Sequence, residues 1–271
     1  MGDEAGVAAG GGVTARPHPL LAGDVVDYSG YWERASGPRR QRHLPSSAIS
    51  IIVGAEPLRI VEGPGADRFA RGVRSFVAGP HDRAAVTEND GPQSGVELRL
   101  TPLGARRLLG VPLRELSGAV VDLTDVLAPV ADELTDRLLG TPGWAGRTAA
   151  ADDVLTRLLA AAPPADPLVA EACRRLDAGR GAAPIGQLAT DLGCSRRHLA
   201  QRFGQEVGVT PKAYARMLRF ERAVARLGEP ACPPLATLAT ACGYYDQAHF
   251  NREFRSFAGC SPRAYLDAGG V

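Results

Sequence analysis

Residues 184–214 read PIGQLATDLGCSRRHLAQRFGQEVGVTPKAY, and residues 234–265 read PLATLATACGYYDQAHFNREFRSFAGCSPRAY. Aligned, they are two copies of one unit. Pro184, Leu188, Ala189, Thr190 and Gly193 match Pro234, Leu238, Ala239, Thr240 and Gly243 at a shift of 50 residues. His198, Phe203, Gly208, Pro211, Ala213 and Tyr214 match His249, Phe254, Gly259, Pro262, Ala264 and Tyr265 at a shift of 51, so one residue is inserted in the turn after Gly243. So many matches across a single gap mark a duplicated supersecondary unit.

Each copy predicts a short helix, a glycine turn and a second helix. In the first, Leu188, Ala189 and Leu192 form the apolar face of residues 185–191. Gly193 tolerates the positive φ of a sharp turn, and Ser195 is a good N-cap for the second helix. Leu199, Phe203 and Val207 then recur at i, i+4 and i+8, one stripe of a helix. In the second copy Gly243 turns, Asp246 caps, and Phe250, Phe254 and Phe257 form the stripe. Two short helices about a glycine, with a small residue at the crossing, are a helix-turn-helix. The second helix of such a unit enters the major groove of duplex DNA. The faces opposite the two stripes carry Arg196, Arg197, Ala200 and Gln201, and then Gln247, Ala248, Asn251, Arg252 and Arg255. Arginine can fork onto guanine and Asn or Gln onto adenine, while flanking arginines hold phosphate. An ordinary solvated surface explains one such face as readily as DNA contact does. It explains two in register poorly.

Between the copies, Thr210 caps and Pro211 opens a helix expected to run to about Leu227, where Gly228 stops it. Its length of ~25 Å suits reading helices held near one DNA turn, ~34 Å, apart. Arg216, Arg219, Arg222 and Arg226 on it are candidates for phosphate contact, with plain solvation the favoured alternative.

The stretch from about Pro167 to Leu266 resembles the DNA-binding domain of the AraC/XylS regulators. The matching elements are IGQLATDLGCSRRHLAQRF, TPKAYARML, the GYYDQAHFNREFRSF core and SPRAY. The resemblance implies two helix-turn-helix subdomains joined by a long helix, with one reading helix per major groove. By position, Arg196, Arg197, Ala200 and Gln201 would face bases in the first copy, and Gln247, Ala248, Asn251 and Arg252 in the second. Arg255 is assigned to phosphate. Ala200 and Ala248 could offer only apolar contact, for example to a thymine methyl. The implied partners are double-stranded DNA, with a small-molecule effector, RNA polymerase and a second copy of the chain as further candidates.

Outward from this region the pattern changes. Residues 161–166 (AAPPAD) read as a linker, because adjacent prolines cannot continue a helix. Residues 20–160 read as a β-rich sensor or dimerisation domain with a helical C-terminal part. Short apolar runs at 47–53, 58–61, 75–77 and 96–100 lie between Gly-Pro and Asn-Asp-Gly-Pro turns, and VELRL alternates with period two. Residues 102–110, 112–116, 127–139 and 152–159 read as helical. Tyr31-Trp32-Glu33, FVAGP at 76–80 and the stretch 96–111 ending ARRLLGV are similar to an uncharacterised sensor-type region found ahead of such readers. Residues 1–19 are expected to be a disordered tail. The expected whole is an α+β two-domain chain: a β-rich sandwich or barrel-like domain with helices, then an all-α domain at 167–271.

Composition narrows the function classes. Net charge is +1, but residues 166–271 carry 14 basic and 10 acidic residues, whereas residues 1–165 carry 17 and 20. Lys212 is the only lysine. Five cysteines without CxxC spacing argue for reduced thiols, no zinc site and a cytoplasmic protein. His18, His43 and His81 are scattered, so no metal or other cofactor is expected. No apolar run is long enough for a membrane span. An enzyme targeted to DNA by this reader is the alternative. Repair by alkyl transfer would need a cysteine in residues 1–165, which have none, and no GxSxG, P-loop or GxGxxG motif is present. The expectation is a regulator and not an enzyme.

Overall fold

A computed structural model of the chain describes residues 10–34, 37–128 and 130–269. In the N-terminal part, strands β1 (Gly10–Ala15), β2 (Val25–Glu33), β3 (Arg39–His43) and β4 (Ile49–Glu62) precede a one-turn helix α1 (Ala66–Phe69). Strands β5 (Val73–Ala78), β6 (Ala85–Asn89) and β7 (Gln93–Leu100) come next. After them lie helix α2 (Pro102–Leu109), a 3-10 turn at Leu113–Leu116, strand β8 (Val120–Asp122), and helices α3 (Leu123–Leu127), α4 (Val130–Gly140) and α5 (Trp144–Ala161).

All strand pairs are antiparallel. The main sheet runs β1-β2-β7-β4-β5-β8. Strand β4 is long enough to serve two sheets. Its register with β5 shifts between Val53 and Leu58, and past that bulge Arg59 and Ile60 pair with β6, which pairs in turn with β3. The two apolar runs read at 47–53 and 58–61 are thus one strand. Ile49, Ile51 and Val53 of β4 and Val96, Leu98 and Leu100 of β7 alternate onto one face. That face is covered by Ala105, Leu108 and Leu109 of α2, Leu134 and Leu138 of α4, and Val154 and Leu155 of α5.

Residues 10–15, assigned from the sequence to a disordered tail, form β1 and pair along β2 from Gly10–Glu33 to Ala15–Tyr28. Residues 1–9 of that expected tail lie outside the described residues. A glycine run is a poor strand former in isolation. Here the absence of side chains is required, because a Cβ on Gly11 would sit 2.5 Å from Cζ2 of Trp32. The last helix before the linker also reaches further than its apolar spacing indicated, from Trp144 to Ala161.

The C-terminal part is helical: α6 (Pro167–Ala178), α7 (Ile185–Asp191), α8 (Arg196–Val207), α9 (Pro211–Leu227), α10 (Leu235–Ala241), α11 (Gln247–Ala258) and α12 (Pro262–Asp267). It holds two cores. The first joins Val169 and Leu176 of α6, Leu188 and Ala189 of α7, and Leu199, Phe203 and Val207 of α8. The second joins Leu238 and Ala239 of α10 with Phe250, Phe254 and Phe257 of α11. Helix α9 belongs to both, giving Tyr214 and Ala215 to the first and Met217, Phe220 and Ala223 to the second. The connecting helix is therefore a shared wall of the two cores, where the sequence had suggested a spacer between them. Phe220 stacks on Phe257 at 4.9 Å between ring centroids and tilts against Phe254 at 5.2 Å.

Phe203 and Phe254 are both wholly buried. Truncating either to alanine should leave a cavity and cost ~3–5 kcal/mol. Denaturant unfolding of the two variants checks this; a loss under ~1 kcal/mol would mean that these rings are not core residues.

Candidate nucleic-acid interface

The two halves place their second helices by the same local devices. Gly193 and Gly243 sit at φ +66° and +85°, the left-handed conformation that turns the chain between helices. The Ser195 hydroxyl accepts from the His198 N–H at 3.1 Å, and the Asp246 carboxylate accepts from the His249 N–H at 2.6 Å. Each cap satisfies a backbone donor that the first turn leaves unpaired. Helix α8 then buries Leu199, Phe203 and Val207, and α11 buries Phe250, Phe254 and Phe257. Glycines Gly208 and Gly259, at φ +83° and +75°, end the two helices in the same way.

The faces opposite these stripes are open. Arg196, Arg197 and Gln201 on α8 are exposed, as are Gln247, Ala248, Arg252 and Arg255 on α11. Ala200 and Asn251, which the repeat makes equivalent, are both half-buried. Among the described residues no carboxylate lies within ion-pair distance of Arg196, Arg197, Arg252 or Arg255. Their neighbour Arg202 pairs with Asp166 of the α6 cap, and Arg263 approaches Asp267 at 3.8 Å. Tyr245, next to the α11 cap, is 91% exposed.

Three of the four arginines of α9, Arg216, Arg219 and Arg226, pair with carboxylates of this chain. Glu253, on the inner side of α11, is 8% exposed and gathers three basic groups. Arg216 reaches it at 3.0 Å, Arg219 at 3.5 Å and His249 at 3.5 Å. Arg216 also lies over the Phe257 ring at 5.0 Å and Arg219 over the Tyr244 ring at 5.8 Å. Arg219 further donates to the Gly181 carbonyl at 2.9 Å, tying the second subdomain to the first. Arg226 pairs with Glu229 at 3.3 Å. Sequence reading missed this network. The one available signal was the single acidic residue in an α11 rich in basic and aromatic side chains.

The N-terminal part also reaches α8 and α11. Arg106 of α2 pairs with Glu206 of α8 at 3.2 Å. Arg42 donates to the Ala258 carbonyl at 3.0 Å, and the Ala84 N–H donates to the Phe257 carbonyl at 2.8 Å. Arg114 and Ser117 share a surface cleft with Gln201, Gln205 and Thr210. Among the described residues no three His, Cys, Asp or Glu side chains gather as metal ligands, and no helix is long and apolar enough to cross a membrane.

A family model described as a helix-turn-helix domain matches residues 188–268. The transcriptional activator RhaS of Pectobacterium carotovorum is 33% identical over 79 residues, which are 29% of this chain and 28% of that protein. The match thus spans little more than a quarter of that relative's length. An AraC-type DNA-binding-domain regulator from Chromobacterium violaceum is 28% identical over 36% of this chain and 88% of that one, with a TM-score of 0.33. ToxT from Vibrio cholerae is 10% identical over 89% of this chain and 97% of its own, with a TM-score of 0.49.

Replacing Glu253 by alanine should leave Arg216 and Arg219 facing an apolar surface without their anion, at a cost of about 3–5 kcal/mol. Thermal unfolding of Glu253→Ala beside the parent chain measures it. An unchanged midpoint would show that the arginines find other partners and that the network does not hold α11 to α9.

Proposed function

We propose that this chain, a member of the AraC/XylS family through its double helix-turn-helix domain, is a sequence-specific DNA-binding transcription regulator. In this reading α8 and α11 enter successive major grooves on one face of the duplex. One observation carries it: two equivalent helices bury the same apolar stripe and turn outward arginines that no carboxylate neutralises among the described residues. A cation left unpaired at a protein surface is suited to displace counterions from phosphate. A planar guanidinium is suited to the O6 and N7 of guanine.

Arg196, Arg197, Ala200 and Gln201 are assigned to the bases of one half-site. Gln247, Ala248, Asn251 and Arg252 are assigned to those of the other, and Arg255 to phosphate. Ala200 and Ala248 leave room for a thymine methyl. The domain boundary falls at 161–166 in this reading. The N-terminal domain is the sensing or dimerising part, RNA polymerase is the downstream partner, and the cytoplasm is where the chain meets its DNA.

Arg197→Ala and Arg252→Ala should each weaken binding by ~1–3 kcal/mol and relax preference at one or two base pairs, the two affected positions lying about one helical turn apart. Arg255→Ala should weaken all sequences alike and shallow the salt dependence by about one unit. Titrations of the three variants against duplexes selected from a random pool, at several salt concentrations, separate these effects. Uniform losses for all three would mean that none of these side chains reads a base.

A further inference from the structure

The N-terminal domain holds the C-terminal domain at three points, and their placement matches the repeat. The first is the end of α8. A Cβ on Gly208 would lie 2.5 Å from Cγ of Pro80 and 2.7 Å from the Leu113 carbonyl oxygen, so the two domains approach there as closely as backbone allows. The Arg106–Glu206 pair, both side chains largely buried, flanks that contact. The second point is the equivalent end of α11. Phe257 and Ala258 are among the last residues of the helix, whose carbonyls have no partner within it. They accept from the Ala84 N–H and from Arg42, which also brings a positive charge to the negative end of the helix. The third point is the middle of α9. One carboxylate oxygen of Glu221 accepts from the Ser46 hydroxyl at 2.8 Å and the Ser47 N–H at 2.6 Å. The other accepts from the Ser47 hydroxyl at 2.8 Å. These serines lie just ahead of β4, the strand shared by both sheets.

Each reading helix is thus gripped at its C-terminal end, away from the N-terminal turns by which such helices meet bases. The helix that joins them is pinned between the grips. From this arrangement, and resting on the DNA-reading proposal above, we infer that Glu221 and Arg42 are positioning residues: through the N-terminal domain they fix the separation of the two half-sites that the chain accepts. A shift of one base pair moves the second half-site by about 3.4 Å and rotates it by roughly 35° about the duplex axis. A three-point mount on one domain cannot track that rotation. Two subdomains joined only through α9 can flex toward it.

The test compares full-length chains selecting from a pool of random duplex. The parent should enrich two motifs at one fixed separation. A Glu221→Ala/Arg42→Ala variant should enrich the same two motifs but accept separations one base pair shorter and longer. Its preference for the fixed separation should fall from roughly tenfold or more to about twofold. Ser46→Ala/Ser47→Ala, which cuts the α9 contact from the other side, should relax the separation in the same direction. Circular dichroism of each variant checks that it is folded. Folded variants that keep the parent's single separation would overturn the inference. Variants that lose the motifs themselves would overturn it too, since these residues would then act on base reading. A parent chain that enriches no sequence would remove the DNA-reading proposal, and the inference with it.

Discussion

The C-terminal domain is organised by the apolar stripe that α8 and α11 must each keep out of water. Three large side chains at i, i+4 and i+8, or i, i+4 and i+7, leave a helix one stable rotation about its axis. Burying a phenylalanine side chain is worth about 1.5–3 kcal/mol, so a helix carrying three of them, as α11 does, is held firmly in that rotation. Once the stripe is inside, the identity of the outer face is decided. Caps and glycines then set where each helix begins and ends. Ser195 and Asp246 fix the first turns, while Gly193 and Gly243 allow the bend that brings a short helix across the second one.

The same constraint sorts the arginines into two populations. Positive charge in this chain is almost all arginine, so composition cannot tell an outward-facing side chain from a structural one. Position relative to the stripes can. Arg216 and Arg219 point from α9 toward α11, where Glu253 and the faces of Phe257 and Tyr244 receive them. Arg197 and Arg252 point away from the cores into solvent. A buried carboxylate shared by two arginines is costly to desolvate, and its use here is geometric. It fixes α11 against a helix that is also part of the other subdomain's core.

The repeat made the C-terminal fold legible from sequence nearly residue by residue. Helices α6, α8, α9, α11 and α12 each start at a short polar side chain that caps the first turn, and these are local signals. Caps, turns and buried stripes fell where the spacing put them. The N-terminal domain was legible mainly where alternation is strong, as in β7. Strand β1 escaped because its stability lies in pairing with β2 and in the indole packed over Gly11, neither of which glycine-rich sequence announces. The unity of β4 escaped because its bulge looks like a break between two strands. In the interface, the outward residues could be read because exposure is the complement of a visible stripe. The Glu253 network and the Arg42, Ala84 and Ser46–Ser47 contacts could not. Apart from His249, four residues from Glu253, they join residues from 34 to 216 positions apart, and no local pattern encodes such partners.

The central claim is that two helices of one chain read two successive grooves. Hydroxyl-radical footprinting of the full-length chain on a selected duplex tests it most directly. Two protected patches are expected on the same face of the DNA, their centres about ten base pairs apart, one for each reading helix. A single patch on a bound duplex, or two patches on opposite faces, would contradict it.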